Sequence, residues 1–248
     1  MVGWLRGALA KAADHLTDEA EGYLLGRGVP ESSVETLQIG VWSAPEEGAP
    51  DPNFRERYGL QGEKLNGRLV YPLISPRGGL IGFESRSMYE KSVSRYLLPE
   101  AAWNPVLLGF PKAMEKVWEG GDLWVVEGLF DMTALERVVP STDAVVASVR
   151  AKLTTKHVEW IRRFMGGPSR YARVYMVYDN DETGRRGVEG YIDENTGKPR
   201  WGALRQLESV EVCAVDVRYK GGKDPGEIWE KTGTEGLRAA FARFLPPT

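Results

Sequence analysis

The sequence predicts an α/β fold: a parallel sheet with helices on both faces, preceded by a smaller mixed α+β subdomain of basic character. Three observations carry this. From about residue 111 onward, short β-prone apolar runs alternate with helix-like runs, the pattern of successive strand–helix–strand units. Ahead of that point two apolar runs flank "SPRGG", a Pro and Gly cluster that marks a hairpin. The chain has 248 residues, 42% of them apolar, enough for a proper core in one large or two small domains. The organisation expected is a basic subdomain over 1–110 and an α/β domain over 111–248.

The elements follow in order. "MVGWLRGALAKAADHL" reads as an amphipathic helix; it lacks the sustained apolar core of a signal peptide. "TDEAEGYLLGRG" has Thr17 as N-cap, Glu in its first turns and Gly at its end, and "PESSVETLQIG" begins a second helix at Pro30. Pro45, Pro50 and Pro52 interrupt any period through residues 43–53, which predicts a loop. "GRLVYPLISPRGGLIGFESRS" supplies the hairpin, with Arg68 and Arg86 near its two ends. Beyond "RYLLPEAAWNPVLLGF", broken by Pro99 and Pro105, the alternation begins. Its helices are "PKAMEKVWE", "DMTALERVV", "TKHVEWIRRF", one after Gly184, and the terminal helices from Pro225; its strands are "LWVVE", "DAVVAS", "RVYMVYD" and "VEVCAVDV". "GYIDENTGKPRWG" interrupts the fourth helix as a surface insertion, carrying Asn195, Gly197 and Pro199.

Charge and cysteine use narrow the chemistry. The net charge is −3, so contact with nucleic acid must come from a local patch. Residues 54–98 provide one: Arg55, Arg57, Lys64, Arg68, Arg77, Arg86, Lys91 and Arg95 face Glu56, Glu63, Glu84 and Glu90, a surplus of four in an acidic chain. Cys213 is the only cysteine and falls in a strand, where a buried thiol is expected. With His15 and His157 as the only histidines, a Cys-rich structural zinc site is excluded. No apolar run reaches membrane-spanning length, and a cytoplasmic protein with no membrane partner is expected.

The acids carry the functional signal. "VYMVYDNDETGRRG" stops an apolar strand at Asp179 and Asp181, whose i, i+2 spacing places two negative charges on one face. Taken alone they read equally well as a helix cap or a solvated loop. Two further strand ends add carboxylates: Glu127 closes "LWVVE" with Asp131 four residues on, and Asp224 follows the glycine-rich turn of "YKGGKDPGE", ahead of Pro225. In sheets of this kind ligands gather outside the carboxyl ends of the strands. A Glu and several Asp converging without His or Cys form an all-oxygen site, suited to Mg²⁺ or Mn²⁺ and, through the metal, to phosphate.

These residues resemble the TOPRIM domain shared by bacterial-type primases, topoisomerases and some nucleases. "VVEGLFD" is similar to its glutamate motif and "VYDNDETG" to its Asp-x-Asp motif. The surroundings resemble the primase branch over roughly residues 16–235: the Arg-initiated hairpin ending in Gly-Phe-x-x-Arg, "RYLLP", the helix pair "YLLGRGVPESSVETLQIGVW", and "GGKDPGEIWEKTG". The resemblance implies a TOPRIM-type catalytic domain over 111–248 and a DNA primase activity, with RNA primers made from ribonucleoside triphosphates on single-stranded DNA. It implies Glu127, Asp179 and Asp181 as catalytic residues and Glu127, Asp131, Asp179, Asp181 and Asp224 as Mg²⁺ or Mn²⁺ ligands, without zinc. It further implies that Arg68, Arg86, Arg95 and Tyr96 contact template or incoming nucleotide, and that a replicative helicase or separate zinc-ribbon protein is a partner. A phage or mobile-element source is expected.

Several positions depart from the family pattern. Gly226 stands where the family usually has an acid, with Glu227 beside it as a displaced substitute; Arg95 replaces a usual Lys; Arg150 and Ala151 replace Gly-Thr; and "AAWNPVLLGF" lacks the family's lysine motif. A metal-dependent nuclease and a degenerate nucleic-acid-binding subunit therefore stay open as alternatives. His157 reads as structural; Trp42, Trp103 and Trp201 read first as packing residues with base stacking as the alternative. Arg185 and Arg186 read either as phosphate contacts or as a solvated first turn.

Overall fold

A computed structural model describes residues 2–43, 62–89, 96–97, 106–165 and 172–247. Arg55, Arg57, Lys91, Arg95 and Trp103 lie outside the described residues, as does most of the loop expected over 43–53. The chain divides into two compact units, 1–104 and 105–248. The division falls ahead of the 110/111 boundary expected from sequence because Leu108 bridges to Ala147 and so belongs with the second unit.

The first unit packs helices α1 (Val2–Ala13), α2 (Asp18–Gly26) and α3 (Glu31–Leu37) with an antiparallel sheet of four strands in the order β1 (Gly40–Val41), β2 (Leu69–Ile74), β3 (Leu80–Arg86) and β4 (Tyr96–Leu97). Thr17 caps α2 by accepting the Ala20 N–H, and Gln38 ends α3 in the left-handed region. The hairpin is the β2–β3 pair, its turn closed by Ser75 N–H to Gly79 O (2.8 Å). Short flanking strands β1 and β4, absent from the sequence expectation, widen it into a sheet. Leu5, Leu9, Val70 and Phe83 form the core with Trp42, whose ring stacks on Phe83 at 5.9 Å, so Trp42 is a packing residue.

The second unit is built on a parallel sheet with the order β10 (Ala214–Asp216), β7 (Val174–Val177), β5 (Leu123–Val126), β6 (Ala144–Ala147). All residues of β5, β6 and β7 are buried, as central parallel strands require, so they run as unbroken apolar segments rather than alternating ones. Helices α4 (Phe110–Trp118), α6 (Thr155–Met165), α7 (Glu182–Glu189) and α8 (Ala203–Glu208) share one core cluster with Leu123, Val125, Val146 and Met176. Helices α5 (Leu129–Leu135) and α9 (Pro225–Phe241, broken at Gly233) pack on each other on the other face. There Trp124 stacks on Tyr175 at 4.3 Å and donates its indole N–H to Asp143 Oδ2 (2.9 Å). Between α7 and α8 the insertion forms a two-stranded antiparallel hairpin, β8 (Gly190–Ile192) and β9 (Pro199–Trp201).

Cys213 corrects one expectation: it is exposed. It precedes the edge strand β10, and the residue that turns inward is its neighbour Val212. His157 is 2% exposed, and burial drives its imidazole pKa down to about 4, so it is a neutral packing residue. No helix among the described residues is long and apolar enough to cross a membrane.

Candidate metal and nucleotidyl-transfer site

The strand order decides where the acids meet. From β5 the chain continues to β6 on one side, whereas β7 lies on the other, so the carboxyl ends of β5 and β7 flank a topological switch point, the usual place for a ligand in an open parallel sheet. Glu127 follows β5 and Asp179 lies two residues past β7. The Asp179 N–H donates to Glu127 Oε1 (2.9 Å) across a separation of 52 residues.

Each acid has a distinct local role. Asp181 caps α7: its Oδ1 accepts the Gly184 N–H (2.9 Å), leaving Oδ2 free of the cap. Gly184 is required here, because a Cβ would stand 2.1 Å from Asp179 O, and that close approach seats the start of α7 against the strand end. Gly128, by contrast, has room: a Cβ there would meet Asp131 Oδ2 at an ordinary 3.5 Å. Asp224 caps α9 through Oδ1, which accepts the Glu227 N–H (2.6 Å). Asp131, on the first turn of α5, accepts the Gly226 N–H (3.2 Å). A Cβ at Gly226 would lie 3.3 Å from Asp224 Oδ1 and 3.4 Å from Asp131 Oδ1, so an acid at this position would crowd that pair. Glu227 is not turned to replace it: its carboxylate accepts the Lys223 N–H and pairs with Lys231 (2.6 Å).

The residue that sequence reasoning missed is Lys223. Its ammonium lies 3.1 Å from both Asp179 Oδ2 and Asp181 Oδ2, the position between the two repelling charges. The loop that carries it is fastened to the end of β7. Asn180 N–H donates to Lys223 O, Asn180 Nδ2 donates to Tyr219 O (2.9 Å), and the Tyr219 hydroxyl is 3.0 Å from both Tyr178 O and Lys223 O. The signals in sequence were the repulsion of two aspartates at i, i+2, which calls for a positive group between them, and the placing of Lys223 in the Lys-Asp-Pro stretch of "GGKDPGEIWEKTG".

The electrostatics report crowding. Burial and then the charge of Asp179 push the Glu127 carboxyl up to about 7. Burial, then Asp224 and Asp179, push Asp131 well above the carboxylate range. Asp179 is raised by burial against the pull of Lys223, and Asp181 is lowered by its capped Gly184 N–H and by Lys223. Partial burial works against the charge of Lys223, but Asp179 and Asp181 overcome it and hold its pKa high.

Among the described residues no three His, Cys, Asp or Glu side chains close on a common metal-ligating point. The donor chemistry nevertheless fits a hard divalent cation: the cluster is all-oxygen, its carboxylates repel one another, and a cation, the Lys223 ammonium, already bridges two of them.

The basic residues belong to the first unit. Arg68 is 7% exposed, with Nε on Ser85 Oγ (3.3 Å). Arg86 is 3% exposed; it donates to Tyr23 Oη (3.2 Å) and to the Tyr96 hydroxyl, and lies 4.9 Å from the centroid of the Tyr96 ring. Tyr96 is 41% exposed.

Residues 124–228 match the Toprim-like family. The solved structure of the Aquifex aeolicus primase zinc-binding and RNA polymerase domains superimposes with a TM-score of 0.71, over 95% of this chain and 60% of that one, at 24% identity. The chain has the fold of a bacterial primase RNA polymerase domain, and its residues 124–228 are similar to the Toprim-like family. The RNA polymerase domain of Mycobacterium tuberculosis primase DnaG agrees with this primase fold at a TM-score of 0.66, over 96% of this chain and 81% of that one, with 22% identity. In sequence, the DNA primase of Deinococcus radiodurans is 26% identical over 96% of this chain and that of Aquifex aeolicus 29% identical over 69%. The chain spans 42% and 31% of those two relatives.

Proposed function

We propose that this chain is the catalytic core of a DNA primase, joining ribonucleoside triphosphates into short RNA primers on a single-stranded DNA template. The observation that carries the proposal is the convergence of Glu127 from β5 with Asp179 and Asp181 from β7 at the switch point of a primase-like sheet. Glu127, Asp179 and Asp181 would hold Mg²⁺ or Mn²⁺, with Asp131 and Asp224 in support, and an ion held there would supply charge to offset the triphosphate and activate the attacking oxygen. The protein's own part is positioning. The two helix caps fix one oxygen each of Asp181 and Asp224, and the Asp179 N–H fixes Glu127 Oε1, so the carboxylates are held in place and the Lys223 ammonium between Asp179 and Asp181 is what an ion has to displace.

Tyr96 presents a stacking and hydrogen-bonding face that Arg86 holds in place; Tyr96 and Arg95 form the template or nucleotide contact of residues 1–110, with the buried Arg68 and Arg86 supporting it from within rather than touching phosphate. A replicative helicase or a separate zinc-ribbon protein assists initiation more than extension, because initiation must assemble two nucleotides and a template without a duplex.

The test is incorporation of α-labelled ribonucleotides on single-stranded DNA with Mg²⁺ or Mn²⁺, with dinucleotide formation and primer extension measured separately. Metal-dependent ribonucleotide incorporation lost in Asp179→Asn/Asp181→Asn is the expected result. Cleavage of DNA or RNA without incorporation would replace the proposal by a nuclease; neither activity, with intact DNA binding, would replace it by a binding subunit.

A further inference from the structure

We propose that the β8–β9 hairpin and the adjoining face of α7 form a second nucleic-acid contact, a cleft that binds a single strand by base stacking and phosphate pairing. The choice of a single strand over another polyanion rests on the primase reading; the cleft itself does not.

The hairpin contributes nothing to the core. No residue of β8 or β9 is buried, and Tyr191, Ile192 and Trp201 are 43%, 62% and 50% exposed. A two-stranded hairpin is marginal on its own, and this one is secured by polar contacts: Arg200 donates through Nε and Nη2 to Asp193 Oδ2 (3.1 and 3.0 Å), and Gln206 Nε2 donates to Trp201 O (2.9 Å). Large rings kept exposed on an element that buries nothing are unexplained by folding and point to a ligand.

Tyr191, Arg200, Trp201 and Gln206 line, with Lys152, Thr183 and Arg186, an open cleft of about 610 Å³. Arg200 lies directly opposite Tyr191 in the ladder, so both project from one face of the hairpin, and the Arg186 guanidinium stands 5.4 Å from the centroid of the Tyr191 ring. Trp201 follows Arg200 and so points to the other face of the hairpin, opposite Gly190; it lines the cleft from the end of β9, and the Arg205 guanidinium lies 4.5 Å from the centroid of its ring. Lys152 is exposed and makes no ion pair among the described residues. Rings interleaved with guanidinium and ammonium groups are the chemistry of strand binding without sequence preference. Exposed acids hold Arg186 at present: it is 2.6 Å from Glu182 and 3.9 Å from Glu194, weak surface pairs that a phosphate can displace. Thr183 sits two residues beyond Asp181, so the cleft adjoins the acidic site along α7.

The experiment uses the full chain and a fluorescently labelled single-stranded oligo-dT, with binding followed by anisotropy in EDTA so that the readout is independent of metal and turnover. Tyr191→Ala/Trp201→Ala is expected to weaken binding about tenfold or more, and Arg200→Ala to lower the salt slope by about one. Trp201→Phe should restore most of the affinity lost in Trp201→Ala, whereas Trp118→Ala, an equally exposed tryptophan on α4 away from the cleft, should change nothing. Because Arg200 also braces the hairpin, circular dichroism and the Trp201→Phe rescue separate lost contacts from lost structure. Wild-type affinity and slope in the folded Tyr191→Ala/Trp201→Ala and Arg200→Ala variants overturn the proposal, as does loss of a protein partner's binding with DNA binding intact. A wild type that binds through the cleft but incorporates no ribonucleotide overturns only the primase reading.

Discussion

Replacing Glu127 by glutamine tests the electrostatic account of the site. Burial and Asp179 raise this carboxyl from an ordinary 4.5 to about 7. A carboxyl whose pKa is higher in the folded than in the unfolded state contributes stability below about pH 4.5, and that contribution is lost as pH rises through about 7. At about 1.4 kcal/mol per pH unit the difference corresponds to about 3 kcal/mol at pH 8.5. Glutamine keeps an oxygen for the Asp179 N–H and cannot ionise, so Glu127→Gln should match the wild type near pH 5 and exceed it at pH 8.5. For a chain of this size about 3 kcal/mol corresponds to a rise of about 6–12 °C in Tm. The assay is thermal unfolding in EDTA at both pH values, repeated with Mn²⁺. Added Mn²⁺ should stabilise the wild type more than the variant, reversing the order as the ion binds the folded state. A variant whose stability follows the same pH course as the wild type in EDTA would show that the Glu127 carboxyl is not raised by its surroundings.

Asp179→Asn/Asp181→Asn should abolish Mn²⁺ binding in calorimetry and ribonucleotide incorporation, with the circular dichroism spectrum unchanged; retained metal affinity removes these residues from the site. Lys223→Met takes away the cation that bridges Asp179 and Asp181 and should tighten Mn²⁺ about tenfold, about 1.4 kcal/mol, in a paramagnetic-resonance titration. Unchanged or weaker binding would show that the ammonium does not compete for that place. Arg86→Ala breaks a buried hydrogen-bonded network and should lower stability by about 3 kcal/mol in urea unfolding while leaving the salt slope of DNA binding unchanged. A slope reduced by about one would make Arg86 a direct phosphate ligand rather than a support for Tyr96.

Local elements and the kind of chemistry are legible in the residues alone. Val174–Val177 and Leu123–Val126 are legible as strands because central parallel strands must be apolar throughout, and the "SPRGG" turn is legible because glycine and proline punctuate the backbone within a few residues. The acids are legible because charge at the end of such a strand has few structural reasons to be there. The rest depends on contacts between residues far apart in the chain. Placing β5 beside β7 brings Glu127 to Asp179, and the loop after β10 brings Lys223 between the two aspartates. Burial turned Arg68 and Arg86 inward, and an edge position left Cys213 in solvent. Periodicity and turn chemistry act over a few residues and leave their pattern in the sequence; strand order, burial and the partner of a charge are set by packing of the whole unit and leave no local pattern to read.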